Sequence, residues 1–227
     1  MTDKRLAIVA GAGPGLGQAL LRRFEEGGLK AVGLVRSTPP KDTKADIRSC
    51  DLSDAMATNS VISGLIQEFG APKIVVHNPS NLVIQPLLDL KADEFEASWR
   101  AMVLTALHLS QAVLQPMVRA GGGAFIVSGA TASLRGGANF AALASAKFAL
   151  RGLAQSMARE FQPSGIHVIH TILDGIIDTE RARAKFNLDP AKMLKTKAIA
   201  DVYWQLAHQP ASAWTHEIDL RPQSENF

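Results

Sequence analysis

The sequence has 227 residues, 47% of them hydrophobic and 20% charged, with a formal net charge of +3. That length suits one medium domain burying roughly 70% of its unfolded surface, and the composition is that of an ordinary globular chain. Lysine and arginine interleaved with aspartate and glutamate argue against a nucleic-acid stripe, no apolar run reaches the ~18 residues of a membrane span, and a lone Cys50 excludes an internal disulfide.

Met1 to Arg5 carry no signal-peptide core and lead into an apolar run, Leu6–Ala10. Together with the single cysteine this predicts a cytoplasmic protein. The run passes straight into Gly11-Ala12-Gly13-Pro14-Gly15-Leu16-Gly17, and a helix is predicted over Leu16–Glu26. A strand, a glycine turn and a helix start in that order suit a dinucleotide pyrophosphate. Glycines let the backbone approach the phosphates, and the helix start offers free N–H groups and partial positive charge.

Further strand-like runs follow at 31–35, 46–50, 73–77, 124–128, Ile166–Leu173 and 214–220. Helical segments lie between them at 54–69, Ala92–Arg119, 140–161 and 196–208. Residues 37–44, with Pro39-Pro40, and 186–195, with Asn187, Asp189 and Pro190, read as loops. The alternation predicts one α/β domain over residues 1–227. Its architecture is a Rossmann-type, doubly wound parallel sheet of about seven strands with helices on both faces and right-handed crossovers. In such a sheet the ligand sits beyond the carboxyl ends of the strands, where strand order reverses.

Several residues fall at that end. An NAD-selective protein usually has an acid at the end of the second strand, for the ribose 2′-hydroxyl. Here Val35 is followed by Arg36, whose planar fork of donors suits a 2′-phosphate. NADP is therefore expected over NAD, with a solvated arginine as the alternative. Asp51 follows the third strand, where it reads as a helix N-cap shared with Ser53 unless it meets a ligand. Asn78, beside Pro79, is either a ligand or a turn residue. His167 and His170 stand three apart on a strand and face opposite sides, and no Cys/His cluster has zinc spacing, so no metal site is expected. The helix at 140–161 carries Ala141, Ala142, Ala144, Ala146, Ala149, Ala154 and Ala158, which let another helix approach closely, inside the monomer or across a dimer.

Gly11, Gly15 and Gly17 form a G-x-x-x-G-x-G pattern that resembles the short-chain dehydrogenase/reductase family. The resemblance extends along nearly the whole chain. His77-Asn78-Pro79-Ser80 stands where the family often has Asn-Asn-Ala-Gly, Lys147 where it has the lysine of Tyr-x-x-x-Lys, and Asp174-Gly175 where it has Pro-Gly. The resemblance implies an NADP-binding set of Gly11, Gly15, Leu16, Gly17, Arg36, Asp51, Leu52, Asn78, Lys147, Asp174 and Gly175. Asp51 would meet the adenine amino group, Asn78 would steady the sheet and the adenosine ribose, and Lys147 would bind the nicotinamide ribose. It also implies a homodimer or homotetramer through the helices Ala92–Arg119 and 140–161.

The family's chemistry needs a tyrosine to give a proton, a lysine to lower its pKa, a serine to hold the carbonyl oxygen and an asparagine to support a relay water. Mapped here, these become Leu143, Lys147, Ala130 and Val103. Only the lysine remains, and the one tyrosine, Tyr203, lies in a late helix. Candidate substitutes are Thr131, Ser128 and Ser133 near the serine position, and Asp174 beside the expected nicotinamide. Two functions follow: an NADP(H)-dependent oxidoreductase with a non-standard or impaired site, or an inactive dinucleotide-binding sensor or partner subunit. The substrate would be a small molecule under the segment 176–197. There Arg181, Arg183, Lys185, Lys192, Lys195 and Lys197 lean basic, as a solvated surface or for an anionic substrate.

Overall fold

The computed structural model describes residues 5–39 and 45–224. Residues 1–4, and residues 40–44 of the predicted loop, lie outside them. Seven strands form one parallel sheet: β1 (Leu6–Ala10), β2 (Lys30–Val35), β3 (Asp46–Ser49), β4 (Ile74–His77), β5 (Gly123–Ser128), β6 (Ile166–Leu173) and β7 (Glu217–Leu220). Their spatial order is β3-β2-β1-β4-β5-β6-β7. The chain works outward from β1 to β3, then crosses back to β4, so order reverses between β1 and β4. Gly11 and Asn78 leave the sheet at that point.

The inner strands are apolar throughout because both of their faces are covered. Leu6, Ile8 and Ala10 enter one core, and the alternate residues Ala7 and Val9 enter the other. The first core is closed by α2 (Ala55–Phe69), α4 (Thr105–Arg119) and α5 (Ala141–Phe161), through Leu65, Leu109 and Leu150 among others. The second is closed by α1 (Leu16–Glu26) and α7 (Thr196–Ala207), through Leu20, Phe24, Ile199 and Tyr203.

Three expectations need correcting and one gains detail. Asp51 is not a helix cap: Asp54 caps α2, accepting from the amides of Met56 (2.8 Å) and Ala57 (3.1 Å). The predicted helix Ala92–Arg119 is helical over those bounds, with a π-helical turn at Arg100–Leu104 between α3 (Ala92–Trp99) and α4. Thr105 Oγ donates into this ladder, to the Ala101 carbonyl at 2.8 Å. By hydropathy and length that span would cross a bilayer, but Met102, Ala106, Leu109, Val113 and Met117 are buried in the core, which accounts for its apolarity. The segment 186–195 is not a plain loop. It follows α6 (Glu180–Phe186), contains a 3-10 turn at Pro190–Lys192, and bridges Ile177 to Leu194. Finally, the alanines of α5 mostly pack inside the monomer: Ala142, Ala144, Ala146, Ala154 and Ala158 are buried. The outward face of α5 carries Ser145, Phe148, Gly152 and Ser156 instead.

Candidate active site

A cavity of about 570 Å³ opens at the carboxyl ends of β1, β4 and β5. That size and place suit a small-molecule site in an open α/β sheet. One end is the glycine turn. Gly11 and Ala12 donate their amides to the Leu34 carbonyl (3.0 and 3.1 Å), which pulls the turn back onto β2. Asn78 Nδ2 donates to the Gly11 carbonyl at 3.1 Å and ties β4 to the same turn. A Cβ at Gly17 would lie 2.4 Å from the Gly11 carbonyl oxygen, so α1 sits closer to the turn than any side chain permits. Gly15, at φ 107°, starts the helix with no side-chain cap and no acid in its first turn. A Cβ at Gly13 would meet nothing within 4 Å, so the turn is open there, and an uncapped helix start is where an anion fits.

Arg36 and Asp51 stand beyond the ends of β2 and β3, and neither lines this cavity. Arg36 is exposed. Asp51 accepts from the Ser53 hydroxyl (2.7 Å) and amide (2.9 Å). These bonds, with Arg36 nearby, hold its carboxyl below the ordinary range. Leu52 is buried behind it.

The other end of the cavity is built by α5 and the end of β5. Leu143 and Lys147 are one turn apart on α5, and both line the wall. Lys147 is 3% exposed, and its Nζ donates to the Ser128 carbonyl at 2.7 Å. Burial lowers its pKa from 10.5 to about 8. Ala130 also faces the cavity, whereas Val103 is buried in the π-helical turn.

The candidate substitutes are engaged elsewhere. The Ser128 hydroxyl bonds the Tyr203 hydroxyl at 2.9 Å, on the α7 side of the sheet, and Tyr203 also bonds Thr171. Burial pushes the Tyr203 phenol up to about 12. The Ser133 hydroxyl accepts from the Ala130 amide at 3.1 Å. Thr131 donates to Asp174, whose other oxygen is 3.2 Å from an Arg221 nitrogen. Thr131 and Asp174 thus pair with each other and with the C-terminal segment, and neither lines the cavity. Gly175, next in the chain, does.

Three further features border the site, of which sequence reading singled out only His77, as a core or turn residue at a strand end. His77 at the end of β4 is fully buried, with Nε2 2.9 Å from Thr105 Oγ. Thr105 spends its own proton on the Ala101 carbonyl, so His77 donates from Nε2 and its Nδ1 is left as a buried acceptor without a partner. Burial, then the nearby Lys147 charge, lowers its pKa to about 3 and keeps the ring neutral. Thr179 caps α6 through the Ala182 amide (3.1 Å), and its methyl packs over Gly15. Asp178 holds Arg183 (2.6 Å) and Lys195 (2.8 Å), which keep its carboxyl far below the usual range. Among the described residues no His, Cys, Asp and Glu cluster could hold a metal.

Comparison with known proteins agrees with this layout. The short chain dehydrogenase family model matches residues 5–189. The chain is 29% identical over 190 residues to the 3-oxoacyl-(acyl-carrier-protein) reductase FabG of Vibrio cholerae, covering 80% of this chain and 77% of the relative. It is 25% identical over 230 residues to an uncharacterized oxidoreductase of Staphylococcus aureus, covering 98% of each. A crystal structure of a short-chain dehydrogenase from Rhodopseudomonas palustris superimposes with a TM-score of 0.81 at 30% identity, covering 96% of this chain and 98% of that one. A metagenomic short-chain oxidoreductase in complex with NADP superimposes with a TM-score of 0.80 at 23% identity, covering 97% and 98%. The chain belongs to the short-chain dehydrogenase family.

Proposed function

We propose that this protein is an NADP(H)-dependent oxidoreductase whose active site works without a tyrosine acid. The observation that carries the reading is the convergence of the glycine turn and Lys147 on one cavity, with Leu143 in the wall one turn before Lys147. The uncapped start of α1 and the close approach at Gly17 fit a pyrophosphate, Arg36 a 2′-phosphate, Asp51 with Leu52 the adenine, and Asn78 with Lys147 the two riboses. Asp174 acts through the fold, anchoring Gly175 at the nicotinamide end. When bound, NADPH supplies a hydride.

The chain's own residues set which acceptors suit that hydride. Leu143 and Ala130 put apolar side chains where a tyrosine and a serine are expected, and the hydroxyl of Ser128, which also lines the cavity, is bonded to Tyr203. A positioned acid is worth about 10²–10⁴ in rate, so simple ketones should be poor substrates. Lys147 Nζ is charged below about pH 8 and holds the buried proton nearest that wall. An activated carbon–carbon double bond suits this wall better, because water can later protonate the carbon.

The test is a titration with NADPH and NADH followed by turnover against carbonyl and enone panels. NADPH should bind tighter, and Arg36→Ala should remove most of a difference of roughly 10–150-fold, the worth of a charge-assisted hydrogen bond. Equal affinities in the unmodified protein would overturn the cofactor assignment. Cofactor binding with no turnover on either panel would overturn the enzyme reading in favour of a binding role.

We also propose that the protein assembles as a homodimer or homotetramer through α4 and α5. Their outer faces form a groove of about 290 Å³ that includes Leu107, Gln111, Leu114, Leu153 and Phe161, next to the exposed Phe148. A Cβ at Gly152 meets nothing within 4 Å in the monomer. Gly152→Glu should therefore leave the fold intact and give monomers in light scattering. A monomeric unmodified protein at micromolar concentration would remove the proposal.

A further inference from the structure

α6 carries three cationic side chains besides Glu180, and the structure sorts the cations. Arg183 is taken by Asp178, which also holds Lys195 from the far side of the same segment. Lys197 is taken by Asp201. Arg181 and Lys185 line the cavity and have no acidic partner among the described residues, the Lys185 ammonium lying 5.5 Å from the Phe186 ring centre. They are four residues apart, so they share a helix face about 6 Å apart along the axis. With Lys147 the cavity lining holds three cations, and no Asp or Glu side chain is among its lining residues. Leu82, Phe140, Leu143, Ile176, Ile177 and Phe186 supply most of the remaining wall on that side.

Cofactor phosphates do not account for both cations. The pyrophosphate cradle lies under Thr179, whose methyl packs over Gly15. From Thr179 the helix runs on for six residues to Lys185, about 9 Å further along. A 2′-phosphate at Arg36 stands outside this cavity altogether. We infer that the substrate is amphipathic: an apolar body carrying the reducible bond, with a carboxylate or phosphate at its far end that pairs with Arg181 and Lys185. The inference rests on the reading of the cavity as an NADP(H)-dependent oxidoreductase site and names the substrate class for it.

The probe pair is cinnamate and cinnamamide, which share a shape and a conjugated double bond and differ in charge. Each is titrated into the protein–NADPH complex, read by nicotinamide fluorescence. Cinnamate should bind at least about tenfold tighter, the low end for a hydrogen bond between charged groups, and 0.5 M salt should shrink the gap. Arg181→Ala with Lys185→Ala should bring the two ligands within about threefold, while NADPH affinity changes by less than about twofold. Lys192→Ala, on the same segment but outside the cavity, should leave the preference intact. Equal affinities in the unmodified protein overturn the inference. So does a large loss of NADPH affinity in the double variant with the cinnamate preference retained, because the two cations would then serve the cofactor phosphates. If the unmodified protein fails to bind NADPH, the oxidoreductase reading falls by itself. The pair is then titrated calorimetrically into the protein alone, where the same preference supports an anion site and equality removes it.

Discussion

At the β1 end of the cavity, recognition is written in the backbone. Gly17 lies against the Gly11 carbonyl, Asn78 fastens that carbonyl, and α1 begins without a side-chain cap. At the β5 end it is written in side chains, and the hydroxyls of Ser128, Thr131 and Ser133 are each bonded within the fold, although Ser128 itself lines the cavity. Ser128 faces Tyr203, Thr131 faces Asp174, and Ser133 faces its own turn. Only Lys147 is presented, through a carbonyl rather than a hydroxyl. At Gly11, Gly15 and Gly17 the backbone geometry tolerates almost no substitution, because a Cβ there would lie within 3 Å of a neighbouring atom. A side-chain constellation can be dismantled one residue at a time while the cavity keeps its shape.

The comparison breaks most sharply at Gly17. Gly17→Ala must move α1 off the turn by about 1 Å to relieve a 2.4 Å contact with backbone that cannot rotate away. Binding of NADPH should fall below detection at millimolar concentration, while circular dichroism still reports a folded protein. Affinity within threefold of the unmodified protein would show that the turn has slack and that the contrast between the two ends is not real.

The β5 end should respond in the opposite direction. Leu143→Tyr with Ala130→Ser would place a phenol one helical turn before Lys147 and a hydroxyl beside it, on a wall that already faces the cavity. Ketone reduction should rise by at least ~10², the lower end for a general acid. Steady-state NADPH consumption on a simple ketone checks it. If the unmodified protein already turns over simple ketones at ~10 s⁻¹, a median enzyme rate, its proton comes from another group. Ser80→Ala and Ser128→Ala, at hydroxyl residues that line the cavity, then become the substitutions to make.

How much of this was legible in the sequence follows the same division. The strands β1 and β6 and the helix α1 match their predicted bounds, since strands covered on both faces are unbroken apolar runs and α1 has a strong apolar stripe. The glycine spacing marked the turn between β1 and α1. α6 was missed because none of its seven residues is buried and so no periodicity marks it; Thr179 and the Asp178 ion pairs hold it from outside. The alanines of α5 look alike in sequence, and only packing tells Ala154 in the core from Gly152 on the surface. Pairings such as Asp174 with Arg221, or Ser128 with Tyr203, join residues distant in the chain, and no local pattern signals them. The identity of Asp54 rather than Asp51 as the α2 cap turned on which carboxyl reaches the second and third amides.

The smallest effect is one of stability, and it asks what Lys147 costs when no ligand is present. Its folded pKa of about 8 lies below the ordinary lysine value of 10.5, because burial penalises the ammonium. Between these values the unfolded chain binds more protons than the folded one, so stability rises with pH across that window. Below pH 8 the whole penalty is present. At about 1.4 kcal/mol for each unit of pKa it is on the order of 3 kcal/mol. Lys147→Met keeps the length and removes the charge, at the loss of one hydrogen bond to the Ser128 carbonyl worth about 1 kcal/mol. The variant should therefore be more stable by about 2 kcal/mol at pH 7 in urea unfolding, with the gain fading toward pH 10.5. Its NADPH affinity should drop by about 1–3 kcal/mol, the loss typical of a charged hydrogen bond. A residue that weakens the empty protein while strengthening the complex is kept for the ligand. A stability difference that stays flat from pH 7 to 10.5 would mean that Lys147 is solvated as an ordinary ammonium, and the β5 end would then be as wet as the surface.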